Sequence, residues 1–245
     1  MRNKSVIDHF RYVMTHLTLM QRIVLISTML FVTIGASFAV YLIEQRFQYV
    51  TDNTLTTVLN TADRSINVWA NNHLLEIKNF SQSAAVAKAA RALLDTSPDK
   101  ASLLAAEAQA TLRQAFRLQL SSSQYRGYFI ISPDNINLAS SRDDNLGIIN
   151  LLTEQPDVLA DLWAGKTRFS RLQTTDVPIY ESDNNRLTDT FFVGTPLRDE
   201  KGRTIALFTL RIDPYETLFP ILESGRLGNS GETYAFDKNA RMLFF

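Results

Sequence analysis

Few side chains in this 245-residue sequence have the chemistry of a reaction centre. It contains no cysteine, which removes disulfides, thiolate metal sites and a cysteine nucleophile. The three histidines are His9, His16 and His73, too few and too scattered for a metal cluster. His73 and Glu76 stand one helical turn apart and could share a metal, but at this spacing the plainer expectation is a solvated pair on a helix surface. No phosphate-binding glycine loop is present, and no histidine lies beside a candidate nucleophile, so no catalytic activity and no cofactor are expected. What remains is chemistry for binding. Tyr128, Arg168, Arg171 and Tyr180 offer cationic and hydroxyl groups suited to a small anionic ligand, although each also fits an ordinary surface or sheet-edge role. Asp213, in "RIDP", offers a carboxylate at a strand end, where it equally fits the cap of a helix starting at Pro214. "RDDN" at Arg142–Asn145 places two carboxylates together; a solvated loop is the plainer reading. Basic and acidic residues number 25 each and form no basic stripe, which argues against a nucleic-acid partner.

The elements that must position these groups begin with an apolar run. From Ile23 to Ile43, "IVLISTMLFVTIGASFAVYLI" carries no charge, and about 20 such residues in a helix cover the hydrocarbon core of a bilayer. A soluble core helix of that length would show a polar stripe. A cleaved leader is the other reading, with Ser37 and Ala39 at small-residue cleavage positions, although such a leader would be unusually long. Arg2, Lys4, Arg11 and Arg22 precede the run and only Arg46 and Arg64 follow it closely, so the positive-inside bias places residues 1–22 in the cytoplasm and everything after Ile43 outside. Val6, Phe10, Val13 or Met14, and Leu17 recur at helical spacing, which predicts an interfacial helix on the membrane lipid.

Between Gly35 and Pro98 there is neither glycine nor proline. Phe47, Val50, Val58, Ala62, Ile66, Trp69, Ile77, Phe80, Ala84 and Ala87 recur in steps of three and four, predicting one helix continuous with the span. "DTSPDK" should stop it, with Ser97 as cap and Pro98 opening a second helix to about Leu120, whose apolar face carries Leu104, Ala108, Leu112 and Ala115. Part of the first stripe also suits a homodimer seam. From Tyr125 the texture becomes β: a hairpin over "YRGYFIIS", "PDNI" and "NLASS", a short helix over Pro156–Ala164, then strands at Arg168–Leu172, Val177–Tyr180, Thr190–Leu197 and Thr204–Ile212. Helices followed by antiparallel strands predict an α+β unit with the sheet stacked on the helices. Both alternations of "IALFTLRI" are apolar, so the last strand should be covered on both faces.

"GYFIISPDNINLASSRDDNLG", "FFVGTPLRDEKGRTIALFTLRIDP" and "GNSGETYAFDKNARML", in that order behind a span, resemble the double Cache extracytoplasmic sensor domain of bacterial transmembrane receptors. The resemblance covers Glu44 to the end. It implies a cytoplasmic segment 1–22, a transmembrane helix 23–43, long periplasmic helices over 44–122 and a membrane-distal PAS-like module over 123–222. It also implies a membrane-proximal module beginning in 223–245, with "SGETYAFD" as its first strand, so Phe245 is expected to be an artificial end. Family members bind small ligands in the distal module. The amino-acid-binding version uses arginine, tryptophan and tyrosine in a short run that this chain lacks; only Asp213 matches its later aspartate, and Trp69 and Trp163 stand outside such a context. The implied function is small-ligand sensing at the bacterial inner membrane by a homodimeric receptor whose output domain is a histidine kinase or a diguanylate or adenylyl cyclase. The alternative is a membrane-anchored helical stalk with a protein-binding cap, and a membrane-tethered hydrolase is a third reading.

Overall fold

The computed structural model describes residues 18–121, 124–174 and 189–226. The long helix α1, Leu19–Ser81, runs for 63 residues without a break, and the chain divides within it, between Thr57 and Val58, into two units.

In the first unit the apolar side chains are exposed on all sides, among them Phe31, Val32, Ile34 and Val40. The best 18-residue window of α1 has a mean hydropathy of 2.3, long and apolar enough to cross a membrane. Three hydroxyls within it are satisfied internally: Ser27 and Thr28 donate to the Val24 carbonyl at 3.0 and 2.8 Å, and Thr33 to that of Met29 at 2.8 Å. Such back-bonding removes the cost of a bare hydroxyl in hydrocarbon.

In the second unit α1 buries Ala62, His73 and Ile77. It does not continue to Ser97. It ends at Ser81, and α2, Ala84–Leu94, starts after an extended Ser83 (φ −66°, ψ 121°). No proline or glycine causes this break. "SQS" does, because short polar side chains compete with the helix backbone: the Ser81 hydroxyl donates to the Lys78 carbonyl at 2.8 Å. The second expected helix is also two: α3, Lys100–Ala105, and α4, Glu107–Ser121, parted by an extended Ala106. Nothing local explains the break at Ala106. Asp99, not Ser97, caps α3, accepting the Ser102 N–H at 2.9 Å. The buried face is also rotated from the expected one: Leu103, Leu112 and Phe116 are buried, whereas Leu104 is 44% exposed.

The sheet is antiparallel, ordered β2-β1-β6-β5-β3, with β4 also on β5. Its strands are β1 Tyr125–Ile131, β2 Asn137–Ser140, β3 Arg168–Phe169, β4 Gln173–Thr174, β5 Asp189–Arg198 and β6 Thr204–Ile212. The strand expected over Arg168–Leu172 shrinks to β3, two residues long, because Ser170 leaves the regular ladder: its hydroxyl accepts the Phe192 N–H at 2.8 Å. The strand expected at Val177–Tyr180 lies outside the described residues. "RDEKG" turns β5 into β6, as expected, with Gly202 at φ 77° and the Asp199 carboxylate accepting the N–H groups of Lys201 and Arg203 at 3.0 and 2.8 Å.

Alternation sends Tyr128, Ile130, Phe208 and Leu210 towards the helices, where they meet Leu93, Leu112 and Phe116. It sends Phe129, Ile131, Leu207 and Phe192 to the other face, which is covered by a 3₁₀ turn at Leu151–Glu154 and by α5, Pro156–Trp163. The short helices α6, Pro214–Thr217, and α7, Phe219–Glu223, follow β6. The architecture is therefore mixed helix and antiparallel sheet with one long apolar N-terminal helix. The central strand is sandwiched as its double alternation predicts.

Candidate ligand-binding face

The cover face of the sheet carries a polar island in an apolar setting. Arg211, on β6, is 2% exposed. Its guanidinium carbon lies 5.3 Å from the ring centroids of both Phe129 on β1 and Phe192 on β5. The two rings meet edge to face, 5.8 Å apart, and frame the cation; such contact stabilises a desolvated cation by about 2 kcal/mol. Two residues earlier on the same face, Thr209 is fully buried, and its hydroxyl has no hydrogen-bond partner among the described residues. A bare buried hydroxyl costs about 1–3 kcal/mol, which a ligand acceptor or donor would recover. Thr190, also fully buried, donates to the Ile212 carbonyl at 2.9 Å.

The cover is held to the sheet by defined contacts. Gly194 on β5 has no side chain where α5 crosses; a Cβ there would lie 2.8 Å from Leu162 Cδ1, so glycine sets the close approach. Gln155, just before α5, accepts the Arg171 N–H at 2.7 Å, donates to the Arg171 carbonyl at 3.2 Å and reaches the Gln173 side-chain oxygen. The Gln173 side-chain nitrogen is buried without a hydrogen-bond partner among the described residues.

The structure separates the residues nominated from the sequence. Tyr128 lies on the helix side of the sheet, fully buried against Phe116 at 4.7 Å between ring centroids. Burial drives its hydroxyl pKa upward, with Arg113 pulling the other way, so it stays protonated. Arg171 makes a two-pronged ion pair with Asp157 of α5, at 2.7 and 2.9 Å, and the pair holds the Asp157 carboxyl at about 2. Arg168 pairs with Asp161, one helical turn further along α5. Both arginines thus tie the cover helix to the sheet edge. Asp213, 1% exposed, caps α6 by accepting the Tyr215 N–H at 2.9 Å and receives Arg126 Nε at 3.3 Å. Tyr180 lies outside the described residues. The "RDDN" carboxylates are engaged, Asp143 with Arg113 and Asp144 with Lys100 at 3.0 Å. His73 and Glu76 are not a solvated pair either: His73 is 4% exposed and both side chains meet the Tyr125 hydroxyl.

Sequence reasoning passed over Arg211 and Thr209. The signal was present in "IALFTLRI", where Arg211 and Thr209 stand on one alternation of a stretch whose other residues are apolar; a charge in such a stretch is buried only at a cost. An open cleft of about 390 Å³ near Lys78, Thr167, Thr195 and Arg198 brings two cations to one mouth. Both are exposed, and Arg198 donates to the Gly202 and Gly165 carbonyls. The cover face is the better candidate. Among the described residues, no three His, Asp or Glu side chains are placed to hold a metal ion.

No protein-family model matches the chain, and no curated protein matches it in sequence. Among solved structures it is similar to the E. coli DcuS sensor domain, with 12% identity and a TM-score of 0.38, over 69% of this chain and 97% of that one. It is similar to the sensor domain of the V. cholerae histidine kinase DctB, with 13% identity and a TM-score of 0.44, over 75% of this chain and 61% of that one. The periplasmic domain of RsbU from Chlamydia trachomatis shares 16% identity and a TM-score of 0.41, over 82% of this chain and 65% of that one. The chain thus spans less than two thirds of the latter two, at 61% and 65%. These are partial likenesses of fold, at identities of 16% or less and TM-scores of 0.44 or less.

Proposed function

We propose that this chain is the extracytoplasmic sensing region of a transmembrane signal-transduction receptor, with the module over 123–222 receiving a small anionic ligand on its cover face. The observation that carries the reading is Arg211: a cation buried between two aromatic rings beside a buried threonine hydroxyl without a partner among the described residues. An anion-binding pocket needs that combination of a desolvated cation, an apolar wall and a spare polar group. The helix that supplies the apolar run of the first unit also buries Ile77 in the core of the second, so one element joins span and sensor. Binding acts on such a device only through a difference in affinity between two states. The charge asymmetry around the span supports a cytoplasmic N-terminus at a bacterial inner membrane. The output domain would be a histidine kinase or a diguanylate or adenylyl cyclase, and the long helices would pair in a homodimer.

The test is thermal unfolding of the full chain in lipid nanodiscs against a panel of small carboxylates, amino acids and phosphate esters. A true ligand at one hundred times its Kd stabilises the chain by about 2.7 kcal/mol. Arg211→Lys should weaken the effect at least tenfold, because a point charge does not reproduce a planar two-pronged donor. If nothing in the panel stabilises the chain, or if Arg211→Lys responds unchanged, the reading fails and the anchored stalk takes its place.

A further inference from the structure

On the opposite face of the sheet from Arg211, three titratable groups meet in a single hydrogen-bonded chain. His73 Nδ1 lies 2.7 Å from the Tyr125 hydroxyl oxygen, and that hydroxyl donates to Glu76 Oε2 at 2.7 Å. His73 and Glu76 belong to α1, and Tyr125 opens β1. The phenol has one proton and gives it to the carboxylate, so His73 must present Nδ1–H to the phenol oxygen. The neutral ring then carries its lone pair on Nε2. It sits in an aromatic box: Trp69 at 4.9 Å, Tyr125 at 5.3 Å and Phe169 at 6.3 Å between ring centroids.

We propose that His73, Tyr125 and Glu76 form a proton-binding latch, which holds α1 against the sheet while His73 is neutral and lets it go when the ring takes up a proton at Nε2. The ligand here is the proton, whose concentration outside the cytoplasmic membrane follows the surroundings, and the latch works whether or not an anion binds the cover face.

The groups facing the ring set the sign of the effect. From α1 comes Glu76, half-buried, and from β1 comes Tyr125. Arg126, next on β1, is engaged with Asp213 at 3.3 Å and Glu216 at 3.9 Å. The β3 edge presents Phe169, whose neighbour Arg168 is held by Asp161, and β5 presents Phe191 to Trp69 at 6.3 Å. Among the described residues, the carboxylate that reaches the ring's hydrogen-bonded chain is Glu76, one phenol away. Loss of hydration outweighs it, and burial lowers His73 from 6.5 to about 4. The closed form therefore refuses a proton that an opened form accepts. Above pH 6.5 the latch is complete. As the pH falls from 6.5 towards 4, the released population gains up to about tenfold per pH unit.

The test uses the full chain in nanodiscs, with Trp163→Phe so that Trp69 is the remaining indole. Histidine ring NMR is assigned by the signal lost in His73→Gln. We expect His73 to titrate near pH 4, well below the ordinary imidazole value of about 6.5. We also expect Trp69 emission to shift to the red and amide exchange in α1 near His73 to accelerate between pH 6.5 and 4, reversibly and with far-UV circular dichroism intact. His73→Gln keeps a hydrogen bond to Tyr125 but cannot titrate, so its Trp69 emission should be flat over that range. Should the glutamine variant fail to fold, His9→Gln and His16→Gln assign the ring signals by elimination, and a His73 midpoint near 6.5 overturns the latch. So does an equal fluorescence shift in His73→Gln, or loss of secondary structure over the same pH range.

Discussion

At the scale of the residue, Asp213 shows how a single side chain is committed by its neighbours. Its two oxygens are divided between the Tyr215 N–H at 2.9 Å and Arg126 Nε at 3.3 Å. Asp213→Ala should therefore lose about 1–2 kcal/mol of cap stability and a further contribution from the lost ion pair with the half-buried Arg126. Urea denaturation should show Asp213→Asn regaining the cap but not the ion pair; equal losses for the two variants would mean that the cap contributes nothing. Gly194 is committed by space instead. Gly194→Ala places a methyl against Leu162, an overpacking that costs about 1–3 kcal/mol. Combined with Leu162→Ala the cost of the added methyl should largely vanish, a coupling that a double-mutant cycle reads directly. Additive losses would mean that α5 moves freely on the sheet. "FFVG" identified the strand that holds Gly194, but which residue faces this glycine depends on where α5 crosses, and no periodicity encodes that.

At the scale of the element, α1 is the part most legible from its residues. Sixty-odd positions without glycine or proline made a helix the economical prediction, and the helix runs from Leu19 to Ser81. Its end was not legible, because "SQS" contains no strong breaker and yields only where the following helix has sheet and helices to pack on. Val86, Ala89, Ala90 and Leu93 of α2 are buried in that core. Continuity of α1 is open to test at its exposed positions. Gln48→Gly with Arg64→Gly destabilises the helix by about 1 kcal/mol per site and touches no buried side chain. Amide exchange over residues 44–64 should then accelerate, while the unfolding temperature of the sheet module changes little. An unchanged exchange rate would mean that other contacts, such as a second copy of the chain, hold this stretch.

At the scale of the whole molecule, the topology prediction is that α1 crosses the membrane once with residues 1–22 inside. Fusions after Ser97 and after Ser224 should both be active with an extracytoplasmic reporter and silent with a cytoplasmic one; a working cytoplasmic reporter at either point would reverse the assignment. The sequence alone determined what depends on neighbours along the chain: the length and apolarity of the N-terminal run, the helical stripe behind it, the hairpin signals and the double alternation of β6. These follow from transfer free energy and backbone geometry, which act locally. The sheet order β2-β1-β6-β5-β3 was decided only by tertiary structure, and so was the composition of the two buried clusters. Tyr128 was chosen for a hydroxyl that register turns towards the helices. Arg211 was overlooked although register turns it between Phe129 and Phe192. His73, read as solvated, closes on Tyr125, 52 residues away. The physical reason is the same in all three cases: along a strand, successive side chains face opposite layers, and which layer holds water, aromatic rings or another helix is settled by segments far apart in sequence.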